Sequence, residues 1–413
     1  YYEQALAMQK RTQGERHPSL GATMQLLGGF HVRENRFQEA RSWLKKASTI
    51  LDETFGPAHF RTKATRVDLA RIAEMEGDFV HCRDILETVP DEDSLFGSRI
   101  LSQRAFCTLV AGDAPGALDG ARAALALAQR YPEDPFGTLG PLNTVAAVTL
   151  RLGLVDESLA FSQDKIDLVT KEMGATHHDT IREHQQLADS LFRLGRTRQG
   201  AKEIDFALEL AEASNPPDPR QLADILNLSA WYRHRGRDNR RALQEAERAF
   251  ALATAADLEM PDVSHTLGEI EVLTGEYAAA RGHCQQAADA FAEMGTPGSV
   301  LFVVVCLGDA ELGLKNPEAA LGLFKQASQL RAEGEDEDPL CRARVDFGLA
   351  RALWEREGPS RRAVQHARAA EQALAGMQSN PAFGHLAKQH AAAVSRWLRT
   401  HRPPVSGKPG TPN

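Results

Sequence analysis

The sequence has few aromatic residues and no long apolar stretch. Phe, Trp and Tyr make up 6% of its 413 residues. The longest uninterrupted apolar run, Val300 to Leu307, is far too short to cross a bilayer. The beginning of the sequence shows no signal-peptide pattern. We therefore expect a cytoplasmic protein without membrane insertion.

Cysteine is also scarce. The sequence holds five cysteines, an odd number, and none of them belongs to a Cys-x-x-Cys pair. Disulfide-stabilised domains and zinc sites use closely spaced cysteines, so neither is expected. We predict buried structural thiols in a reducing compartment at Cys82, Cys107, Cys284, Cys306 and Cys341.

A basic surplus and the common catalytic motifs are missing too. The formal net charge of −8 gives no long-range attraction to phosphate backbones, so nucleic acid is not an expected partner. The signatures HExxH, GxSxG and GxxxxGK(S/T) are absent, and we predict no catalytic residue, no metal, no cofactor and no enzyme activity for these residues. Adjacent side chains point in different directions, so we assign His177-His178-Asp179 to a link between helices and not to a metal site.

What the sequence does contain is a repeated turn. Asn35-Arg36-Phe37 and Gly77-Asp78-Phe79 are related turns 42 residues apart. Further glycine turns follow at intervals of 35, 41, 42, 41 and 39 residues, at Gly112, Gly153, Gly195, Gly236 and Gly275. Glycine tolerates the left-handed conformation that ends a helix, and the alanines after each turn let two helices approach closely. The repeating unit is therefore predicted to be a helical hairpin.

These hairpins resemble the tetratricopeptide repeat family. The family has a Leu-Gly or Leu-Ala pair in the first helix, a glycine turn, an aromatic residue and then alanine in the second helix. The matching segments are Leu27-Gly28 with Ala40, Leu187-Ala188 with Gly195, Leu267-Gly268 with Tyr277 and Ala280, and Leu307-Gly308 with Ala320, Phe324 and Ala327. The period near 42 exceeds the usual length of about 34 and resembles the longer kinesin-light-chain type. The resemblance implies an all-α, right-handed superhelix of antiparallel helix pairs, an α-solenoid.

The same resemblance implies a division of the chain. We expect a half repeat and link over residues 1–18, about nine hairpins over 19–377, a capping helix over 378–401 and a disordered tail over 402–413. Because the segment from Tyr1 to Leu6 resembles the second helix of a repeat whose first helix is missing, we expect the chain to be the C-terminal piece of a longer protein.

One segment imitates an enzyme motif. Asp346-Phe347-Gly348 spells the magnesium-binding triplet of protein kinases. A kinase also needs a His-Arg-Asp catalytic loop, a Gly-rich loop and a strand lysine upstream, and none precedes this triplet. Phe347, Ala350 and Trp354 follow a helical spacing, so we assign the segment to the first helix of the last hairpin.

Polar residues at one repeated position suggest a binding surface. In the family, first-helix residues line a concave groove, and one such position precedes the Leu of the Leu-Gly pair. In this sequence it is occupied by Gln103, Thr144, Gln186, Asn227 and Thr266. These residues form a candidate peptide-binding ladder; the alternative is that they are merely solvent-exposed helix positions. The Lys/Asn clamp of chaperone-binding family members is not evident, so a C-terminal carboxylate ligand is not expected.

The predicted function is a protein-interaction scaffold that holds a peptide or protein segment in this groove. The segment from Cys341 to Trp354, with Ala363 to Leu374 and Trp397-Leu398, resembles the last repeat of large bacterial serine/threonine protein kinases. This resemblance implies a kinase domain before residue 1 and a regulatory or recruiting role for the repeats. A third possibility is the helical-repeat part of an ATPase-type transcription regulator.

Overall fold

The computed structural model describes residues 1–34, 36–236, 238–294, 297–333, 339–378 and 384–402. Regular structure in these ranges consists of α-helices and one 3₁₀ turn, Pro135–Thr138. The helices are α1 (Tyr2–Gln13), α2 (Pro18–Arg33), α3 (Phe37–Phe55), α4 (Phe60–Met75), α5 (Phe79–Glu87), α6 (Leu95–Val110), α7 (Ala114–Ala128), α8 (Leu139–Arg151), α9 (Val155–Met173), α10 (His178–Arg193), α11 (Thr197–Ala213), α12 (Pro219–Arg235), α13 (Asn239–Ala255), α14 (Pro261–Thr274), α15 (Tyr277–Glu293), α16 (Pro297–Gly313), α17 (Pro317–Glu333), α18 (Pro339–Glu357), α19 (Arg361–Met377) and α20 (Gly384–Thr400).

The predicted all-α repeat fold is confirmed. The chain forms two compact units, unit 1 (Tyr1–Glu172) and unit 2 (Met173–Asn413). Among the helices that the structure describes, none combines the length and the apolarity that crossing a bilayer requires. The right-handed sense of the superhelix and the division at residues 18, 377 and 401 stay predictions.

Consecutive helices pair as antiparallel hairpins. A β-carbon added at Gly21 of α2 would lie 3.0 Å from Leu51 Cγ of α3, and one at Gly28 would lie 2.6 Å from Leu44 Cγ. Residue numbers rise along α2 while those of the facing residues fall along α3, so the helices run in opposite directions. Gly28 belongs to a predicted Leu-Gly pair, and its missing side chain lets the two backbones approach closely.

Glycine turns connect the two helices of most hairpins. Of the six predicted turn glycines that continue the repeat, five have positive φ, from 74° to 101°, at Gly77, Gly112, Gly153, Gly195 and Gly275. Gly236 differs, with φ −77° in the right-handed helical region. The short interval of 35 residues after Gly77 has a simple cause, because α5 has only nine residues whereas the second helices before and after it have 19 and 15.

The first helices of successive hairpins in unit 2 pack side by side. Gln221 Nε2 of α12 donates to the His178 carbonyl at the start of α10 (2.8 Å), and Tyr232 Oη donates to Asp189 Oδ1 near its end (2.9 Å). In each pair the two residues are 43 positions apart in the sequence, so α10 and α12 run parallel. Contacts between neighbouring first helices continue from α12 to α14, from α14 to α16 and from α16 to α18. We call these five helices the first-helix layer.

Histidines cap helices in three of the links between hairpins. Nδ1 of His17, His59 and His177 lies 3.3, 3.3 and 3.2 Å from the backbone nitrogen two residues later and accepts its hydrogen bond. A capping acceptor of this kind satisfies one of the N–H groups that a helix start leaves unpaired. A glycine with positive φ precedes each histidine by three residues, at Gly14, Gly56 and Gly174. Of the predicted link segment His177-His178-Asp179, His177 is the cap before α10, whereas His178 and Asp179 belong to the first turn of that helix.

The prediction of unpaired thiols is wrong for four of the five cysteines. Cys82 is bonded to Cys107 and Cys284 to Cys306, with Cα–Cα distances of 6.1 and 6.2 Å. Each disulfide joins the second helix of one hairpin to the first helix of the next, α5 to α6 and α15 to α16. Only the stacking of hairpins brings these residues together, which sequence spacing does not reveal. All five cysteines are buried, as predicted, and Cys341 lies outside both disulfides.

The kinase-like segment is part of a helix. Asp346, Phe347 and Gly348 lie within α18, the first helix of the α18–α19 pair. Asp346 Oδ1 lies 3.0 Å from Nδ1 of His366 on α19, and a β-carbon at Gly348 would overlap the ring of Phe324. The triplet is therefore used for helix packing, as the spacing predicted.

Helix α20 packs over the last hairpin. Its buried Val394 and Ala387 contact a cluster that includes Ala370 and Leu374 of α19. The predicted disordered tail from residue 403 onward lies outside the described residues.

Candidate ligand-binding pocket

Unit 2 contains a cavity of about 420 Å³ between the first-helix layer and α20. Helices α12, α14, α16 and α18 supply one wall, and α20 supplies the opposite wall. The polar lining residues are His234, Arg235, Asn239, Glu269, Asp309, Arg344, Arg351, Gln389 and His390. The rest of the lining is apolar, at Val272, Leu273, Cys306, Ala343, Phe347, Leu374, Ala393 and Val394.

Helix α20 closes the pocket through a contact between distant parts of the chain. Gln389 Nε2 donates to the Arg235 carbonyl at the end of α12 across 3.1 Å, although 154 residues separate the two. The contact requires the first-helix layer to curve so that α12 and α20 face each other. The pocket is therefore a product of repeat stacking and not of any single hairpin.

Two ion pairs occupy part of the pocket. Arg344 Nη2 lies 2.5 Å from Glu269 Oε1, and Arg351 pairs with Asp309. Burial alone would raise the pKa of Glu269, but the charges of Arg344 and Arg235 and the hydrogen bond from Arg344 outweigh burial and hold that pKa well below its usual range. Burial likewise acts to lower the pKa of Arg344, and the carboxylates of Glu269 and Asp309 raise it instead. Both partners are therefore charged.

Among the described residues that line the pocket, Arg235 is the one arginine that forms no ion pair with a carboxylate, and the two donors that matter are its Nε and Nη1. These two atoms are buried and have no hydrogen-bond partner. The guanidinium carbon lies 3.3 Å from the centre of the Trp231 ring, a cation–π contact that leaves the edge of the guanidinium unused. Burial lowers the pKa of Arg235 to about 10, so the group still carries its charge at neutral pH.

The histidines around the pocket are neutral. Burial lowers the pKa of His234, and it lowers the pKa of His265 in the same way. His390 on α20 has a pKa of about 4, because burial and then the positive charges of Arg344 and Arg235 oppose its protonation. Neutral histidines add hydrogen-bonding capacity to the pocket without adding to its positive charge.

The structure places the predicted ladder residues in unequal environments. In unit 1, Gln103 is partly buried and donates to Glu74 Oε2 at 2.9 Å. Thr144 is buried, with Oγ1 2.8 Å from the Ser102 hydroxyl of the neighbouring first helix. These two side chains therefore bond within the repeats themselves, which differs from the expectation that all five are available to a ligand.

In unit 2 the ladder residues lie on three neighbouring first helices. Gln186 on α10 is exposed, and Thr266 on α14 is buried. Asn227 on α12 is partly buried, and its Oδ1 is a buried acceptor without a hydrogen-bond partner. The groove stays a prediction, and Gln186 and Asn227 are the residues through which it is best tested.

One group of side chains has a geometry that could suit a metal. Ligand atoms of Glu74, Cys82 and Cys107 lie within 4.8 Å of one another. Both sulfurs are used in the disulfide, so they cannot bind a metal as thiolates while that bond exists.

Comparison with known proteins agrees with the hairpin geometry. The tetratricopeptide repeat family model matches residues 1–53. The chain is 22% identical over 332 residues to the protein Kinesin light chain-related 3 of Arabidopsis thaliana, covering 79% of this chain and 46% of that protein. The chain thus spans about half the length of this relative.

Two solved structures share the fold. The apo form of RapI has a TM-score of 0.55 at 10% identity, covering 83% of this chain and 99% of that one. A signal transduction ATPase with a tetratricopeptide repeat sensor, from Pyrococcus horikoshii, has a TM-score of 0.52 at 14% identity, covering 93% of this chain and 55% of that one.

The first 53 residues match the tetratricopeptide repeat family, and the described helices after them continue the same hairpin pattern. Tetratricopeptide repeats generally mediate protein–protein interactions, and proteins built from them are generally non-enzymatic scaffolds. The pocket could not be predicted from the repeat pattern, because that pattern marks the positions at which helices pack. The available signal was a set of charged residues inside helices, such as Glu269 between Gly268 and Ile270.

Proposed function

We propose that this chain is a scaffold that binds an extended protein segment along the first-helix layer of unit 2. The proposal rests mainly on one observation, that the buried Oδ1 of Asn227 lacks a hydrogen-bond partner. A buried acceptor without a partner costs about 1–3 kcal/mol, and a backbone N–H of a bound segment would satisfy it once the partly exposed Asn227 side chain turned its Oδ1 toward that segment.

Gln186 offers a second polar group on the adjacent helix. It is exposed on α10, which runs parallel to α12. Side chains repeated on parallel helices can bond to the backbone of an extended segment without selecting one sequence. Each such hydrogen bond contributes about 0.5–1.5 kcal/mol, so two of them affect affinity measurably.

The test uses a phage-displayed library of random dodecapeptides selected on the wild-type chain. We expect the double variant Gln186→Ala/Asn227→Ala to bind the selected peptides about fivefold to a hundredfold more weakly, with its melting temperature nearly unchanged. The matched control is Gln199→Ala/Gln244→Ala, which removes exposed glutamines from the second helices α11 and α13. Unchanged affinity in the double variant, or equal losses in both, contradicts the proposal.

A second candidate is a regulatory or recruiting part of a larger signalling protein. The Pyrococcus horikoshii ATPase, which is described as carrying a tetratricopeptide repeat sensor, supports a sensor role because this chain shares its fold. The resemblance of the last repeat to bacterial serine/threonine kinases supports a kinase parent instead. The formal net charge of −8 supports the further proposal that nucleic acid is not a ligand of this chain. Sequencing the gene upstream of Tyr1 separates these parents, since an ATPase motif and a kinase His-Arg-Asp loop are distinct.

A further inference from the structure

We propose that the pocket between the first-helix layer and α20 binds a small amphipathic monocarboxylate, with its carboxylate on Arg235 and its apolar part against Leu273 and Phe347. This site is separate from the predicted ladder. It also takes a different class of ligand from the protein segment proposed above.

The charges of the residues that line the pocket indicate a ligand with a single negative charge. Three guanidinium groups line the cavity, and two of them are paired, Arg344 with Glu269 and Arg351 with Asp309. Arg235 remains, with its buried Nε and Nη1 unbonded. A carboxylate binds a guanidinium with both oxygens either across Nε and Nη2 or across Nη1 and Nη2, so either fork includes one of the two unbonded donors of Arg235. One carboxylate therefore satisfies one of these donors and brings the pocket's formal charge to zero.

The walls next to this cation favour an apolar body on the ligand. Leu273 at the end of α14 is 54% exposed, although it lines the cavity. Phe347 and Val394 face the same space from α18 and α20. A ligand that covers Leu273 removes apolar surface from water, which contributes roughly 25 cal/mol per Å².

The size and closure of the pocket favour a small molecule over a chain segment. A volume of about 420 Å³ lies at the lower end of the range typical of small-molecule sites. The hydrogen bond from Gln389 to the Arg235 carbonyl joins the two walls beside the cation. A ligand no larger than this cavity can bind without breaking that hydrogen bond.

The test measures binding of 4-phenylbutyrate to the full 413-residue chain by isothermal titration calorimetry. The neutral amide 4-phenylbutyramide has the same shape, and we expect it to bind at least about tenfold more weakly, because it loses the charge-assisted hydrogen bonds. Inorganic phosphate provides an oxyanion without an apolar body, and we expect no competition from it at equal concentration.

Two variants and one control locate the site. Arg235→Gln should weaken phenylbutyrate binding at least about tenfold, and Leu273→Ser should weaken it several-fold without loss of fold, since that side chain is already half exposed. Arg248→Gln removes an exposed arginine of α13 that pairs with Glu212 outside the pocket, and it should change nothing. No measurable binding at millimolar phenylbutyrate, equal binding of the amide, competition by phosphate, or full affinity in Leu273→Ser overturns the proposal.

Discussion

Two adjacent glycines of α2 should respond in opposite ways to the same substitution. A β-carbon at Gly28 would lie 2.6 Å from Leu44 Cγ and 2.7 Å from its Cδ2, well inside van der Waals contact. Leu44 is fully buried and packs in a cluster with Val32, Ala40 and Ile72. A β-carbon at Gly29 meets nothing within 4 Å. Only the first position therefore depends on the close packing of α2 against α3.

The expected free energies follow from two competing effects. Alanine in place of glycine stabilises a helix interior by about 1 kcal/mol, and this gain applies at both positions. Overpacking a filled core costs about 1–3 kcal/mol, and this cost applies at Gly28 alone. We expect Gly29→Ala to raise the free energy of unfolding by up to about 1 kcal/mol. The free energy of unfolding of Gly28→Ala should be about 1–3 kcal/mol lower than that of Gly29→Ala.

Urea denaturation followed by circular dichroism at 222 nm is the appropriate assay, with the denaturant slope checked for each variant. Equal stabilisation by both substitutions would show that Gly28 does not face Leu44. The antiparallel hairpin geometry derived for α2 and α3 would then be wrong.

Three further predictions concern the pocket and the links. Glu269→Gln should destabilise unit 2 by about 3–5 kcal/mol in urea denaturation, because it leaves Arg344 charged and unpaired, and adding Arg344→Met should recover much of the loss. His390 has a pKa of about 4 in the folded chain against an ordinary value of 6.5. Its stabilising contribution, at most about 3 kcal/mol, is therefore complete above pH 6.5 and lost as pH falls toward 4. Thermal melts of the wild type and of His390→Gln at a series of pH values check this, and an identical pH dependence of the two stabilities would refute it. His59→Ala should cost about 1 kcal/mol through its lost cap, whereas His81→Ala, at an exposed site, should be neutral.

The repeat architecture could be predicted from the sequence because its determinants are local and recur. Glycines such as Gly77 and Gly275 mark the turns, and Leu-Gly pairs mark the contacts within each hairpin. One local signal was missed, the glycine followed three residues later by a capping histidine, as in Gly56 and His59. Its recurrence before α2, α4 and α10 could have been found by aligning the links.

The disulfides and the pocket could not be predicted in this way, because they depend on how hairpins stack. Cys284 and Cys306 belong to different hairpins, and their spacing of 22 residues carries no established motif. Arg235 reads in the sequence as one of several basic residues at a helix end, where positive charge is common. Only the position of α20, 154 residues further along, turns its surroundings into a cavity.

Helix α20 couples the end of the array to the pocket. One part of it covers the apolar cluster around Leu374, and burial of that surface favours docking of the helix whether or not a ligand is present. The same helix supplies Gln389 and His390 to the pocket wall. A ligand that contacts both α20 and the first-helix layer binds the docked state more tightly than the undocked state. By linkage it must stabilise docking by RT ln(1 + [L]/Kd), and a variant that weakens docking must weaken the apparent affinity for that ligand.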